Sequence, residues 1–148
     1  MSNPFDIPRE LTLHVRDHCL CLHAQRAARA LARRFDEAFR PLGLTNGQFS
    51  LMMALNRREP PTMSGLATFL AIDRTTLTAA LKPLERRGLV EVTPGPEDRR
   101  RRVMTLTPSG RELLAKAVPI WEKTHEEVER LLPAGGADIL RAGLKTLS

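Results

Sequence analysis

"SGLATFLAIDRTTLTAALKPLERRGLVEV", residues 64–92, holds two short apolar-faced helical segments and the start of an alternating run. Leu66, Ala67 and Leu70 fall on one face of a short helix over about Met63 to Leu70. Only Ala71 and Ile72 separate it from Asp73, an N-cap candidate for a second helix that runs to Arg87 and stops at Gly88. In that second helix Leu77, Leu81 and Leu84 recur four and three apart on one face. Arg74, Thr75, Thr78 and Lys82 lie on the opposite side. Pro83 removes the hydrogen bond to residue 79 and costs about 3 kcal/mol in a helix interior, so a kink is expected there. Leu84 keeps the apolar period, so the helix is expected to continue past it.

Beyond Gly88 the period changes. "LVEVT" (89–93) and "VMTLT" (103–107) alternate as strands do, and "PGPEDRRRR" (94–102) joins them with a Pro/Gly turn and four consecutive arginines. Two short helices with a tight turn, followed at once by a strand pair, make a helix-turn-helix with a wing. Thr107 then caps a long helix that has Pro108 in its first position and ends at "PAGG". A last helix covers about Ala137 to Leu147.

Upstream, "LTNGQF" marks a helix start: Thr45 as N-cap, Gln48 closing a capping box, and Leu44 stapling to Phe49. That helix is expected to end near Arg57, before "EPP". The first helix runs from Ile7 or Pro8 to Arg40, with room for one break, and is too long for a small core to cover. The fold class is therefore mainly α with a small β-hairpin wing. A winged helix-turn-helix core at 41–107 is flanked by long helical segments at 1–40 and 108–148.

The chain has 148 residues, one domain's worth, and carries a net charge of +6. That balance favours a polyanionic partner such as nucleic acid. Arginine far outnumbers lysine, which suits forked contacts to phosphate or guanine. No apolar run is long enough to span a membrane, and "MSNPFDIPRE" lacks the apolar core of a signal peptide, so a cytoplasmic protein is expected. There is no Gly-rich phosphate loop, nucleophile elbow, HExxH or Cys-x-x-Cys motif, so neither catalysis nor a cofactor is expected.

"LGLTNGQFSLMMAL", the opening stretch, and "EDRRRRVMTLTPSGRELL", with its Asp-x-Arg followed by Leu-Thr-x-x-Gly, resemble the multiple-antibiotic-resistance regulator (MarR) family of winged-helix transcription factors. The resemblance covers nearly the whole chain. It implies a homodimer built on the terminal helices, with two recognition helices in successive major grooves of a double-stranded operator and each wing in a flanking minor groove. By position in the motif, Arg100 matches the wing-tip arginine and Asp98 its brace, leaving Arg99, Arg101 and Arg102 for phosphates or the strand surface. Recognition-helix contacts would fall to Arg74, Thr75, Thr76, Thr78 and Lys82. An arginine can fork onto guanine, a threonine methyl can touch thymine, and a lysine suits a phosphate. Ala79 and Ala80 stand where many members carry larger polar side chains, so direct base reading is expected to be thinner here.

"HVRDHCLCLH" (14–23) raises a separate question. Cys19 and Cys21 point about 200° apart on a helix, which is poor geometry for a disulfide. Cys21 matches the reactive cysteine of the family's hydroperoxide-sensing members, but Gln25, Phe35 and Asn46 stand where those sensors place tyrosines. A core or interface cysteine is favoured over a redox switch. His14, His18 and Cys21 share a face, yet no fourth ligand lies near in sequence and no metal is expected. The expected function is a DNA-binding transcriptional regulator, a repressor rather than an activator, released from its operator by a small-molecule effector. The alternatives are a thiol-based repressor using Cys21 and a non-switching architectural DNA binder.

Overall fold

The computed structural model describes residues 3–148; Met1 and Ser2 of the expected first segment lie outside the described residues. The elements are α1 (Arg9–His18), α2 (Leu20–Phe39), a 3-10 turn (Arg40–Leu42), α3 (Asn46–Ala54), α4 (Met63–Leu70), α5 (Arg74–Arg86), β1 (Val90–Pro94), β2 (Arg102–Leu106), α6 (Pro108–Glu129) and α7 (Gly136–Leu147).

The long N-terminal helix, read with room for one break, is broken once, at Cys19. Cys19 takes extended dihedrals (φ −68°, ψ 109°) and becomes the cap of α2, its Sγ accepting from the Leu22 N–H at 3.4 Å. Its own N–H still bonds the Val15 carbonyl at 2.9 Å, so the interruption is confined to one residue. The helix expected to reach Arg57 stops at Ala54. There the Leu55 N–H is shared between the Leu51 and Met52 carbonyls and Asn56 bonds back to Met53, the tightening that ends a helix. Helix α5, by contrast, continues through Pro83 as one element. Ala79, whose carbonyl loses its partner to the proline, is exposed, so water can replace the missing donor.

Caps account for the remaining starts. At α3 both halves of the capping box form, the Gln48 N–H to Thr45 Oγ1 at 3.2 Å and the Thr45 N–H to Gln48 Oε1 at 3.0 Å. Leu44 and Phe49 are both buried, as a staple requires. At α6 the Thr107 hydroxyl accepts the Gly110 N–H at 3.0 Å and donates to the Gly88 carbonyl, tying the end of the hairpin back to the end of α5. Gly110 packs so closely on the Leu89 carbonyl that a Cβ there would overlap it. The Leu-Thr-x-x-Gly motif thus encodes a cap and a backbone crossing.

β1 and β2 pair antiparallel with Val90 opposite Leu106 and Pro94 opposite Arg102. The core lies between this hairpin and α2 to α6. Phe39, Met52, Leu66, Leu77, Leu81, Leu84 and Met104 are its fully buried side chains. Burying Leu77, Leu81 and Leu84 together leaves the other side of α5 in solvent. Phe35 and Phe39 from α2, and Leu114 and Ala117 from α6, complete that core, which is how the terminal segments attach to the lobe. Helices α1 and α7 bury no residue. Among the described residues, no helix is long and apolar enough to cross a membrane.

Candidate nucleic-acid interface

The exposed side of α5 is set by its cap. Asp73 Oδ1 accepts the Thr76 N–H and Oδ2 accepts the Thr76 hydroxyl, both at 2.8 Å. The Thr76 N–H first, then its hydroxyl, hold the Asp73 carboxyl below the ordinary 3.8. Arg74, Thr75, Thr78, Ala79 and Lys82 line one shallow hollow of about 310 Å³. Four of the five recognition-helix residues named from the sequence are therefore together, and Thr76 stands apart with its hydroxyl committed to the cap. The Thr78 hydroxyl donates to the Arg74 carbonyl at 2.8 Å, so its proton is spent internally while its methyl remains available. Ala79 belongs to the hollow, whereas Ala80 packs against the core.

The wing tip is held by backbone hydrogen bonds. Asp98 Oδ1 accepts the Arg100 N–H at 3.0 Å, and the Asp98 carbonyl accepts the Arg101 N–H at 3.0 Å. The Gly95 N–H closes the loop on the Arg101 carbonyl at 2.7 Å. A Cβ on Gly95 would meet the Asp98 carbonyl oxygen at 2.8 Å, so only glycine lets this turn close. Asp98 thus acts on the path of the backbone and leaves the guanidiniums free. Arg99 and Arg100 are exposed. Among the described residues, none of Arg74, Lys82, Arg99, Arg100, Arg101 or Arg102 pairs with a carboxylate, whereas Arg16, Arg40, Arg130 and Arg141 do.

Two features of the lobe were not singled out from sequence. Arg87 donates to the Gly43 carbonyl at 2.7 Å and the Leu42 carbonyl at 3.3 Å, fixing the end of α5 to the turn after α2. The Gly43 turn, at φ 65°, was the available signal. The second is a cleft of about 330 Å³ where Arg74 meets Arg100, Arg101 and Arg102 across the start of α4.

Elsewhere, Cys21 is exposed and its Sγ accepts from Gln25 Nε2 at 3.3 Å, while Cys19 is half-buried. His14 and His18 stack at 4.3 Å on α1, and Cys21 lies on α2, beyond the break at Cys19. Trp121 on α6 stacks between Phe49, at 6.5 Å, and His125, at 4.6 Å.

The family model described as the MarR family matches residues 44–101, from the α3 cap to the wing. The HTH-type transcriptional repressor NicR of Pseudomonas putida is 34% identical over 92 residues, covering 62% of this chain; the match spans 58% of that protein's length. A structure of the transcriptional repressor CouR bound to a 23-mer DNA duplex superposes with a TM-score of 0.80 at 32% identity, covering 90% of this chain and 94% of that one. The Mycobacterium tuberculosis regulator MosR, in complex with DNA, superposes with a TM-score of 0.75 at 40% identity, covering 87% and 96%. These relatives are transcription regulators, not enzymes. With the fold shared over nearly the full length of solved relatives, and the family model resting on the winged lobe, this chain belongs to the MarR family of transcription regulators.

Proposed function

We propose that this protein is a homodimeric repressor that binds a specific double-stranded DNA operator through its winged lobe and leaves it when a small molecule binds. The observation that carries the reading is the junction of a polar α5 face with an arginine wing, six cationic side chains on one lobe that form no ion pair among the described residues. α5 enters the major groove, where Thr75 and the Thr78 methyl meet base edges and Lys82 meets a phosphate. Arg100 enters the minor groove, whose narrow form concentrates negative potential, with Arg99 beside it on the backbone. Arg74 contacts DNA at the seam between helix and wing. Thr76 and Asp98 serve by holding the α5 cap and the wing loop in place.

Residues 1–40 and 108–148 form the dimer. In support, α1 and α7 bury nothing yet carry Leu11, Val15, Ile139, Leu140, Leu144 and Leu147, each between 46% and 76% exposed. The effector's place is an apolar hollow of about 610 Å³ between α3, the end of α4 and α6, walled by Met53, Phe69 and Trp121. An occupant there would change the spacing of the two lobes and so their fit to successive grooves. The names of NicR and CouR support repression over activation. Cys21 offers a thiol-based route to the same release, since its sulfur is exposed with an amide donor on it.

Footprinting on the intergenic DNA upstream of its own coding sequence tests the reading, with and without phenolic compounds and organic hydroperoxide. Protection of one site, lost on adding a phenolic compound, is the expected result. Release by hydroperoxide that disappears in Cys21→Ser would assign the switch to sulfur. Uniform coating of all DNA with no ligand response would mean an architectural binder.

A further inference from the structure

The cleft between wing and recognition helix brings together residues far apart in the chain. Arg74 opens α5, Arg100 and Arg101 close the wing loop, Arg102 begins β2, and Thr62 and Ser64 lie at the start of α4. An isolated bridge between Thr62 and Val103 pins the segment before α4 to β2, so the cleft walls are held to each other by backbone. Four like charges facing one concavity repel one another, and among the described residues none of them forms an ion pair, the nearby Glu97 and Asp98 lining the adjacent hollow beside Arg101 instead. What neutralises such a group is an anion with several acceptor oxygens, because guanidiniums fork onto oxygen pairs and the hydroxyls add donors.

The geometry points to a phosphate seat: Arg74, Arg101 and Arg102 together hold one backbone phosphate of the operator, where the strand passes from the groove read by α5 to the groove entered by Arg100. This rests on the DNA-binding reading above and adds to it an assignment that separates Arg74 from the base readers. A phosphate held jointly by helix and wing fixes the register of both on the duplex without selecting sequence. The seat is a positioning device. Thr75 and Thr78 select bases, and Arg74 with the two wing arginines decides which base step they meet.

The test uses the full-length protein and a duplex recovered from a random pool by selection with it. Each phosphate of one half-site is replaced in turn by a neutral methylphosphonate, and affinities are measured at fixed salt. One replacement is expected to weaken the wild type about tenfold to a hundredfold, the loss of charge-assisted hydrogen bonds. The same replacement should cost Arg74→Ala, and the double variant Arg101→Ala/Arg102→Ala, less than about threefold, because the partner is already gone. The two variants should also keep the wild-type ranking of base-substituted duplexes. If Arg74 and the wing pair mask different phosphates, or if Arg74→Ala reorders base preference, the seat is overturned while DNA binding stands. Failure of the wild type to select any duplex would overturn both.

Discussion

The winged lobe and the terminal helices use the same residue types to different ends. In the lobe, Leu77, Leu81 and Leu84 recur at helical spacing and are at most 1% exposed, because α4 and the hairpin pack against α5. In α7, Ile139, Leu140, Leu144 and Leu147 recur at the same kind of spacing and are 46% to 76% exposed. Periodicity therefore specifies that a face must be covered, and says nothing of what covers it. A lobe whose core is satisfied within the chain can devote its remaining surface to charge. The terminal helices keep apolar faces that the protomer itself does not cover, and the proposed dimer assigns that cover to a second copy.

The two apolar faces should respond differently to truncation. Leu84→Ala removes a fully buried side chain and should cost about 2–5 kcal/mol in urea unfolding. Leu144→Ala should leave the lobe's packing intact and instead make the unfolding midpoint depend more steeply on protein concentration. If Leu144→Ala destabilises the chain equally at every concentration, α7 is packed within the protomer and the contrast fails.

A backbone crossing inside the lobe comes next. Gly110→Ala puts a Cβ onto the Leu89 carbonyl and should destabilise by about 1–3 kcal/mol, with the hairpin displaced from the start of α6. Gly143, with no atom within 4 Å of an added Cβ, is the control in α7: Gly143→Ala should be neutral or slightly stabilising to heat.

Surface charge should separate binding from stability. Arg100→Ala is expected to weaken operator binding by about 1–3 kcal/mol and flatten the salt dependence by roughly one phosphate equivalent per wing. The melting temperature should not move, because the side chain is exposed. Equal binding at matched salt would remove the wing from the interface.

The smallest effect concerns the α5 cap. The Asp73 carboxyl lies below its ordinary value, so its contribution is present above that value and is lost as pH falls through the lowered one. The melting-temperature gap between wild type and Asp73→Ala should be full at pH 7 and close below about pH 4. A gap that persists in strong acid would mean the neutral side chain caps as well as the anion.

Much of this lobe was legible in advance because its signals are local. Thr45 with Gln48, Asp73, Thr107 with Pro108, and the switch from helical to alternating period at Gly88 each act within a few residues, and each element starts where its cap stands. The break at Cys19 and the end of α3 at Ala54 carried no such punctuation, since neither glycine nor proline stands at either place. Among the site residues, the α5 face followed from spacing. Helix periodicity alone did not reveal that the Thr76 hydroxyl is taken by Asp73, or that the Thr78 proton goes to the Arg74 carbonyl.

The order of elements, the buried face of α5, the cationic wing and the family likeness can all be read from the residues alone. All of these rest on contacts between near neighbours or on composition. Long-range packing is what brings Arg74 into a cleft with Arg100 to Arg102, anchors α5 through Arg87 to the Gly43 turn, and leaves α1 and α7 uncovered. Those outcomes depend on how separate elements pack. A pattern of hydrophobic and charged positions records which side of each element seeks cover, but the partner that meets it is chosen by the shape of the whole core.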